Sequence, residues 1–347
     1  MKPLLIVDST LRDGSHAIGH QFTAKNIADY AKGAEKAGIP LVIVGHGNGL
    51  GASSLQLGQS LLTDQEMLRV ARKELGKIKL GAFLIPGFGT IKNDLEPAIR
   101  IGIDAIMVAC HCTEANITRQ HISYAVQKGI DVYGVLMMSH MASEEELLVQ
   151  AKLIEGYGAC GVLLMDSAGA YLPEEAARKV KTLVSGLSID VGFHAHNNLG
   201  MAIANSVAAA LSGGTIIDAT SRGLGAGAGN CQLEVVVAVL KKMGFPIDID
   251  LYQLMDNSEN IVTQIMKTPQ EISATSLTSG LAGVFSGFAP HAKRAAKRFN
   301  VDTRDILIEL GRRKTVAGQE DIIVDVALNL KQKKKGKNSP NPIEALL

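Results

Sequence analysis

The sequence has no tryptophan, only four cysteines among 347 residues, and a formal net charge of just +1 with histidine neutral. Each scarcity removes a class of protein. Cys110, Cys112, Cys160 and Cys231 are too few and too scattered for the disulfide framework of a small secreted domain, and they suit a reducing cytoplasm. A balanced charge argues against a nucleic-acid partner held by bulk electrostatics. Nowhere do the roughly 18 uncharged apolar residues of a membrane-spanning helix occur together, and Met1-Lys2-Pro3 runs into a strand-like stretch rather than a signal peptide. The expected protein is cytoplasmic, with neither membrane nor nucleic acid as partner. Apolar residues (46%) and glycine (36 residues) are plentiful instead, as many strand-to-helix turns require.

Apolar runs of strand length recur eight times, at residues 4–9, 40–44, 79–84, 105–109, 131–137, 161–165, 189–194 and 215–218. Helical patterns alternate with them, for example at 24–37, 64–75, 144–157 and 174–184. Thr23 before Asn26 and Ser143 before Glu146 mark helix starts, the second as a capping box. Right-handed βα units in that order form a doubly wound sheet or a closed barrel, and eight units without a second half favour a (β/α)8 TIM barrel. After Met243-Gly244-Phe245-Pro246 the pattern turns wholly helical. The expected division is a catalytic barrel over 1–248, a C-terminal helical subdomain over 249–330, and a lysine-rich tail over 331–347 that reads as solvated chain.

Seven of the nine histidines, at 16, 20, 46, 111, 140, 194 and 196, fall at or just after strand ends. That rim is where barrel enzymes keep their chemistry. In Phe193-His194-Ala195-His196 the strand alternation points both imidazoles the same way, about 6.5–7 Å apart at Cα, which suits one divalent cation. A carboxylate from strand 1 would complete a two-histidine, one-carboxylate site. Asp13 is the favoured ligand, and Asp8, deeper in the strand, is given a structural hydrogen-bonding role. Such a site takes Mn²⁺, Fe²⁺, Co²⁺ or Mg²⁺. Arg12 can stabilise developing negative charge on a substrate oxygen or pair with Asp13. His16 is placed to serve as general base, with His20 behind it. Ser167 either binds a substrate carboxylate or caps the following turn. Cys110-His111-Cys112 lacks the second pair of a zinc site. The glycines of Gly223–Asn230 serve close backbone packing or an anion.

Taken together, Asp8-Ser-Thr-Leu-Arg-Asp-Gly-Ser-His-Ala-Ile18, His111-Cys-Thr-Glu-Ala115, Leu136-Met-Met-Ser-His-Met141, His194-Ala-His196 and Gly225-Ala-Gly-Ala-Gly-Asn230 resemble the 4-hydroxy-2-oxovalerate aldolase family. These are class II pyruvate aldolases in the superfamily of hydroxymethylglutaryl-CoA lyase and isopropylmalate synthase. The resemblance runs from about residue 4 to Leu330. It implies a carbon–carbon lyase whose metal, typically Mn²⁺ with Mg²⁺ or Co²⁺ as alternatives, is bound by Asp13, His194 and His196. It further implies that Arg12 steadies the enolate, His16 is the base and Ser167 contacts the pyruvate carboxylate. The substrate is a 2-keto acid, and the aldehyde passes to a partner acylating aldehyde dehydrogenase, so a homo- or hetero-oligomer is expected. Phe285 stands where the family carries a tyrosine near the aldehyde end of the substrate, which points to a different aldehyde. The competing expectations are a Claisen-type acyl-CoA lyase or synthase of the same superfamily, a barrel retained only for partner binding, and a non-haem iron oxygenase.

Overall fold

A computed structural model describes residues 2–333 and 343. Eight parallel strands close into a barrel in chain order: β1 (Leu5–Asp8), β2 (Leu41–Ile43), β3 (Lys79–Leu84), β4 (Ala105–His111), β5 (Asp131–Met137), β6 (Gly161–Asp166), β7 (Asp190–Ala195) and β8 (Ile216–Ala219). β1 pairs with both β2 and β8, Asp8 lying opposite Ala219, and this closes the ring. The strands read as continuous apolar runs because both faces are covered. Val7, Ile43, Met107, Val135, Leu163 and Ile216 fill the interior, while Ile6, Val42, Leu80, Ile106 and Val162 face the helices. A Cβ at Gly192 would sit 2.7 Å from Leu163 and Ile216, so the packed interior requires glycine there.

Eight helices form the outer layer: α1 (Ala24–Ala37), α2 (Asp64–Glu74), α3 (Glu96–Ile101), α4 (Arg119–Gln127), α5 (Glu144–Gly156), α6 (Pro173–Gly186), α7 (Ala202–Leu211) and α8 (Leu233–Lys242). Thr23 and Ser143 both cap as expected, and each closes a reciprocal box, with Asn26 and Glu146. The TIM barrel and its C-terminal helices are therefore the observed architecture. No helix among the described residues is long and apolar enough to cross a membrane.

Beyond the barrel, α9 (Leu251–Asn257) continues through a π turn, Ser258–Val262, into α10 (Thr263–Ile265). The helical pattern that follows Pro246 thus contains one wide turn here. Asn257, just before that turn, donates to the Tyr30 carbonyl of α1 at 3.3 Å, in the space left by the missing side chain of Gly33. The structure adds a helix not anticipated in the pattern, α11 (Ala274–Leu281), rich in Ser, Thr and Gly. Such residues favour caps over helix interiors. A Ser273–Ser276 capping box and close approach to Gly311 hold it in place. α11 leads to α12 (Ala289–Phe299), α13 (Thr303–Arg312) and α14 (Ile322–Lys333), which share a core of Phe288, Ala292, Ile306, Leu310 and Val326. The expected lysine-rich tail lies largely outside the described residues.

Candidate active site

β7 delivers His194 as its penultimate residue, with His196 just past its end. Asp13 arrives from the other side of the β1–β8–β7 seam, on the short 3₁₀ turn Asp13–His16 that follows β1. Ligand atoms of Asp13, His194 and His196 lie within 4.8 Å of one another, and all three residues are buried. Burial pushes the Asp13 carboxyl up, but the Arg12 guanidinium 2.9 Å away overrides it and holds the group well below the usual carboxylate range. Burial likewise lowers His196 to about 4. One carboxylate and two neutral imidazoles are the donor set a divalent cation needs. His194 Nε2 is buried and has no hydrogen-bond partner among the described residues, and a cation there would satisfy it. The residues therefore fit the metal that the sequence implied.

Two residues of the cluster escaped the sequence reading. Asp218 of β8 stands directly across the ladder from His194, and its Oδ2 accepts the imidazole Nδ1 at 2.8 Å. That bond directs the His194 lone pair at Nε2 toward the cluster. The available signal was an acidic residue in the otherwise apolar strand 216–219. Asn230 donates its side-chain amide to Asp13, while its Oδ1 is buried and has no partner among the described residues. Its signal was the glycine run before it. A Cβ at Gly225 would strike the Asn230 amide, and Gly229 (φ +88°) lies against the Gly223 carbonyl. These glycines serve close packing around the cluster.

Beside the cluster lies a small cavity lined by Arg12, Asp13, His16, Asn48 and His196, with Phe83, Ile85, Met137, Met165, Ala226 and Phe285 as its apolar walls. Arg12 is 3% exposed and lies with its guanidinium carbon 4.4 Å from the centre of the Phe83 ring. Its Nη1 donates to Asp13 and, at 3.4 Å, to the Gly47 carbonyl, while Nε and Nη2 have no hydrogen-bond partner among the described residues. A buried guanidinium with free donors is a binding site for an anion. His16 Nε2 lies 3.9 Å from Asp13, and burial lowers the ring's pKa, so it is neutral and able to accept a proton. Phe285 packs edge-on against Phe288 and closes the far side.

The rim histidines do not form one site. His20 stacks on His46 at 3.8 Å and meets His16 edge-on at 5.0 Å, and burial pushes these outer rings down to about 3 and about 4. His111 bonds Thr113, and His140 Nε2 bonds the Gly283 carbonyl, away from the cluster. Ser167 is buried, its Oγ accepts the Met138 N–H at 3.0 Å, and it is not part of the cavity lining. Asp8 accepts from Thr10 and, at 2.6 Å, from the Tyr30 hydroxyl, the structural role expected of it. Cys110 and Cys112 are both buried, and Cys112 donates to the Met138 carbonyl at 3.3 Å.

Comparison with known proteins places this geometry. Residues 4–261 match the HMGL-like family and residues 270–332 the DmpG-like communication domain. The fold recurs in Rhizobium etli pyruvate carboxylase, with a TM-score of 0.82 at 18% identity, covering 96% of this chain and 32% of that one. At the level of sequence, a 4-hydroxy-2-oxovalerate aldolase of Pectobacterium atrosepticum is 51% identical over 97% of this chain and 98% of its own length. One from Spirochaeta aurantia is 52% identical, covering 95% and 97%. The chain belongs to the HMGL-like family and, within it, to the 4-hydroxy-2-oxovalerate aldolases.

Proposed function

We propose that the protein cleaves a 4-hydroxy-2-oxo acid, 4-hydroxy-2-oxopentanoate or a relative, into pyruvate and an aldehyde by a metal-dependent retro-aldol reaction. The observation that carries this reading is the meeting of Arg12, Asp13, His16 and His196 around one small cavity, with His194 joining Asp13 and His196 in the donor cluster. Asp13, His194 and His196 would hold a divalent cation, Mn²⁺ in preference to Mg²⁺ or Co²⁺. A cation there supplies Lewis acidity to the 2-oxo group. Arg12 directs its free Nε and Nη2 donors at the substrate and stabilises charge that develops on the enolate oxygen. His16 takes the proton of the 4-hydroxyl, the C3–C4 bond breaks, its electron pair enters the pyruvate enolate, and the aldehyde leaves. A proton delivered to C3 then yields pyruvate. The proposed contact of Ser167 with the substrate carboxylate would require a shift of its hydroxyl, which lies outside the cavity lining with Oγ accepting from Met138. The Phe285 ring bounds the aldehyde end.

We further propose that the helices matching the communication domain receive an acylating aldehyde dehydrogenase in a hetero-oligomer. Ile272, Leu277, Val324 and Leu328 are the exposed apolar side chains that support this. We also propose a division into a barrel over 1–248 and a helical subdomain over 249–330, with α9 docked on α1. Free, mostly buried thiols support a cytoplasmic setting.

The test is pyruvate release from racemic 4-hydroxy-2-oxopentanoate with Mn²⁺, with and without chelator, beside Asp13→Asn. Chelator-sensitive release that Asp13→Asn abolishes is expected. Absence of release from metal-loaded protein would sink this substrate.

A further inference from the structure

Five side chains with polar atoms line the reaction cavity, and the proposed mechanism uses four of them: Arg12, Asp13, His16 and His196. The fifth is Asn48. It is 7% exposed, and among the described residues its hydrogen bonding is confined to its backbone N–H, which donates to His46 Nδ1 at 3.0 Å. The carboxamide has no hydrogen-bond partner among the described residues. Its polar atoms open onto the cavity, where a carboxamide can donate to or accept from a ligand atom.

The backbone holds Asn48 firmly. Arg12 donates to the carbonyl of Gly47, Gly49 donates to the His46 carbonyl, and Leu50 donates to Phe83 at 2.8 Å. Gly47 lies so close to His16 that a Cβ there would stand 2.5 Å from Nε2. The Gly47–Asn48 peptide therefore passes beside the nitrogen that handles the substrate's hydroxyl proton. Arg12 and the cation ligands account for the 2-oxo acid half of the substrate. Around the other half, the side chains of Phe285, Ile85 and Ala226 carry no polar atom.

We propose that Asn48 is a substrate-contacting residue that donates its side-chain N–H to the oxygen on C4, the hydroxyl in cleavage and the aldehyde oxygen in condensation. This inference rests on the aldolase reading. In condensation that oxygen gains charge as the C3–C4 bond forms, and one donor from protonated His16 leaves a second lone pair to be met. Asn48 meets it, and so fixes which face of the aldehyde is presented.

The experiment separates the two halves of the substrate. Exchange of the pyruvate methyl protons in D₂O reports enolate formation and involves no aldehyde, whereas cleavage and condensation need the C4 oxygen. In Asn48→Ala with Mn²⁺, exchange should stay within about twofold of wild type while kcat/KM for cleavage falls at least about tenfold, as expected for one lost hydrogen bond in a dry site. The condensation product should also lose stereochemical purity. Asn48→Asp, which at neutral pH accepts but cannot donate, should not restore cleavage. Exchange that falls in step with cleavage would overturn the assignment, as would cleavage that is unchanged. Wild-type protein that neither exchanges nor cleaves would refute the aldolase reading itself, and this inference with it.

Discussion

Replacing Asp218 by Asn tests whether the cluster is a metal site held by a buried carboxylate. The His194 Nδ1···Asp218 Oδ2 bond is 2.8 Å, and both side chains are fully buried. Water does not screen it, and the carboxylate both fixes the tautomer and makes Nε2 a better donor. Asn in the same space removes the charge. If its amide nitrogen faces the ring, Nδ1 must accept, Nε2 carries the proton, and the lone pair needed by a cation is lost. Loss of such a partner typically weakens metal binding about 10–100-fold, or about 1.4–2.8 kcal/mol. Competition with a chelator measures the Mn²⁺ affinity directly. The visible spectrum of the Co²⁺ form reports the ligand field independently of turnover. Asp218 also lies 3.9 Å from Arg12 Nη2, so affinity for pyruvate should shift as well. An Asp218→Asn protein that melts like wild type and binds Mn²⁺ and Co²⁺ unchanged would refute the reasoning.

Two further outcomes follow from buried groups near the seam. Burial raises the Asp8 carboxyl to about 6, above its ordinary value near 3.8. The folded state therefore holds that proton more tightly, and the stability it gives below about pH 4 is lost as pH rises through 6. Relative to wild type, Asp8→Asn should gain about 1–3 kcal/mol between pH 4 and 7, read as a shift in urea midpoints; a gap that does not move with pH would count against it. Gly229→Ala places a Cβ against the Gly223 carbonyl at φ +88°. It should cost about 1–3 kcal/mol in thermal or urea unfolding and weaken Mn²⁺ binding by displacing Asn230; wild-type stability would show that the loop yields without strain.

Much of the fold was legible because a barrel strand has a local signature. Residues 79–84 and 131–137 are apolar on both faces and bounded by turns, and the observed strands have the same limits. Thr23 and Ser143 could be read as caps because a capping box closes within four residues. α11 was harder to read, since its Ser- and Thr-rich sequence is a weak helix former and is held by packing on α13 as well as by its own cap. The π turn after α9 depends likewise on Asn257 meeting Tyr30, 227 residues away.

The site divides along the same line. His194 and His196 announce themselves by strand alternation, and Asp13 by its place after β1. Sequence by itself thus determined the barrel and the shared rim of His194 and His196, which follow from periodicity over a few residues, and the order of the strands put Asp13 beside them. Only the tertiary structure decided that Asp218 holds His194, that Asn230 reaches Asp13, that Asn48 faces the cavity, and that His111 and His140 stand apart from it. Those contacts join strands and loops far apart in the chain, and their geometry exists only once the barrel has closed.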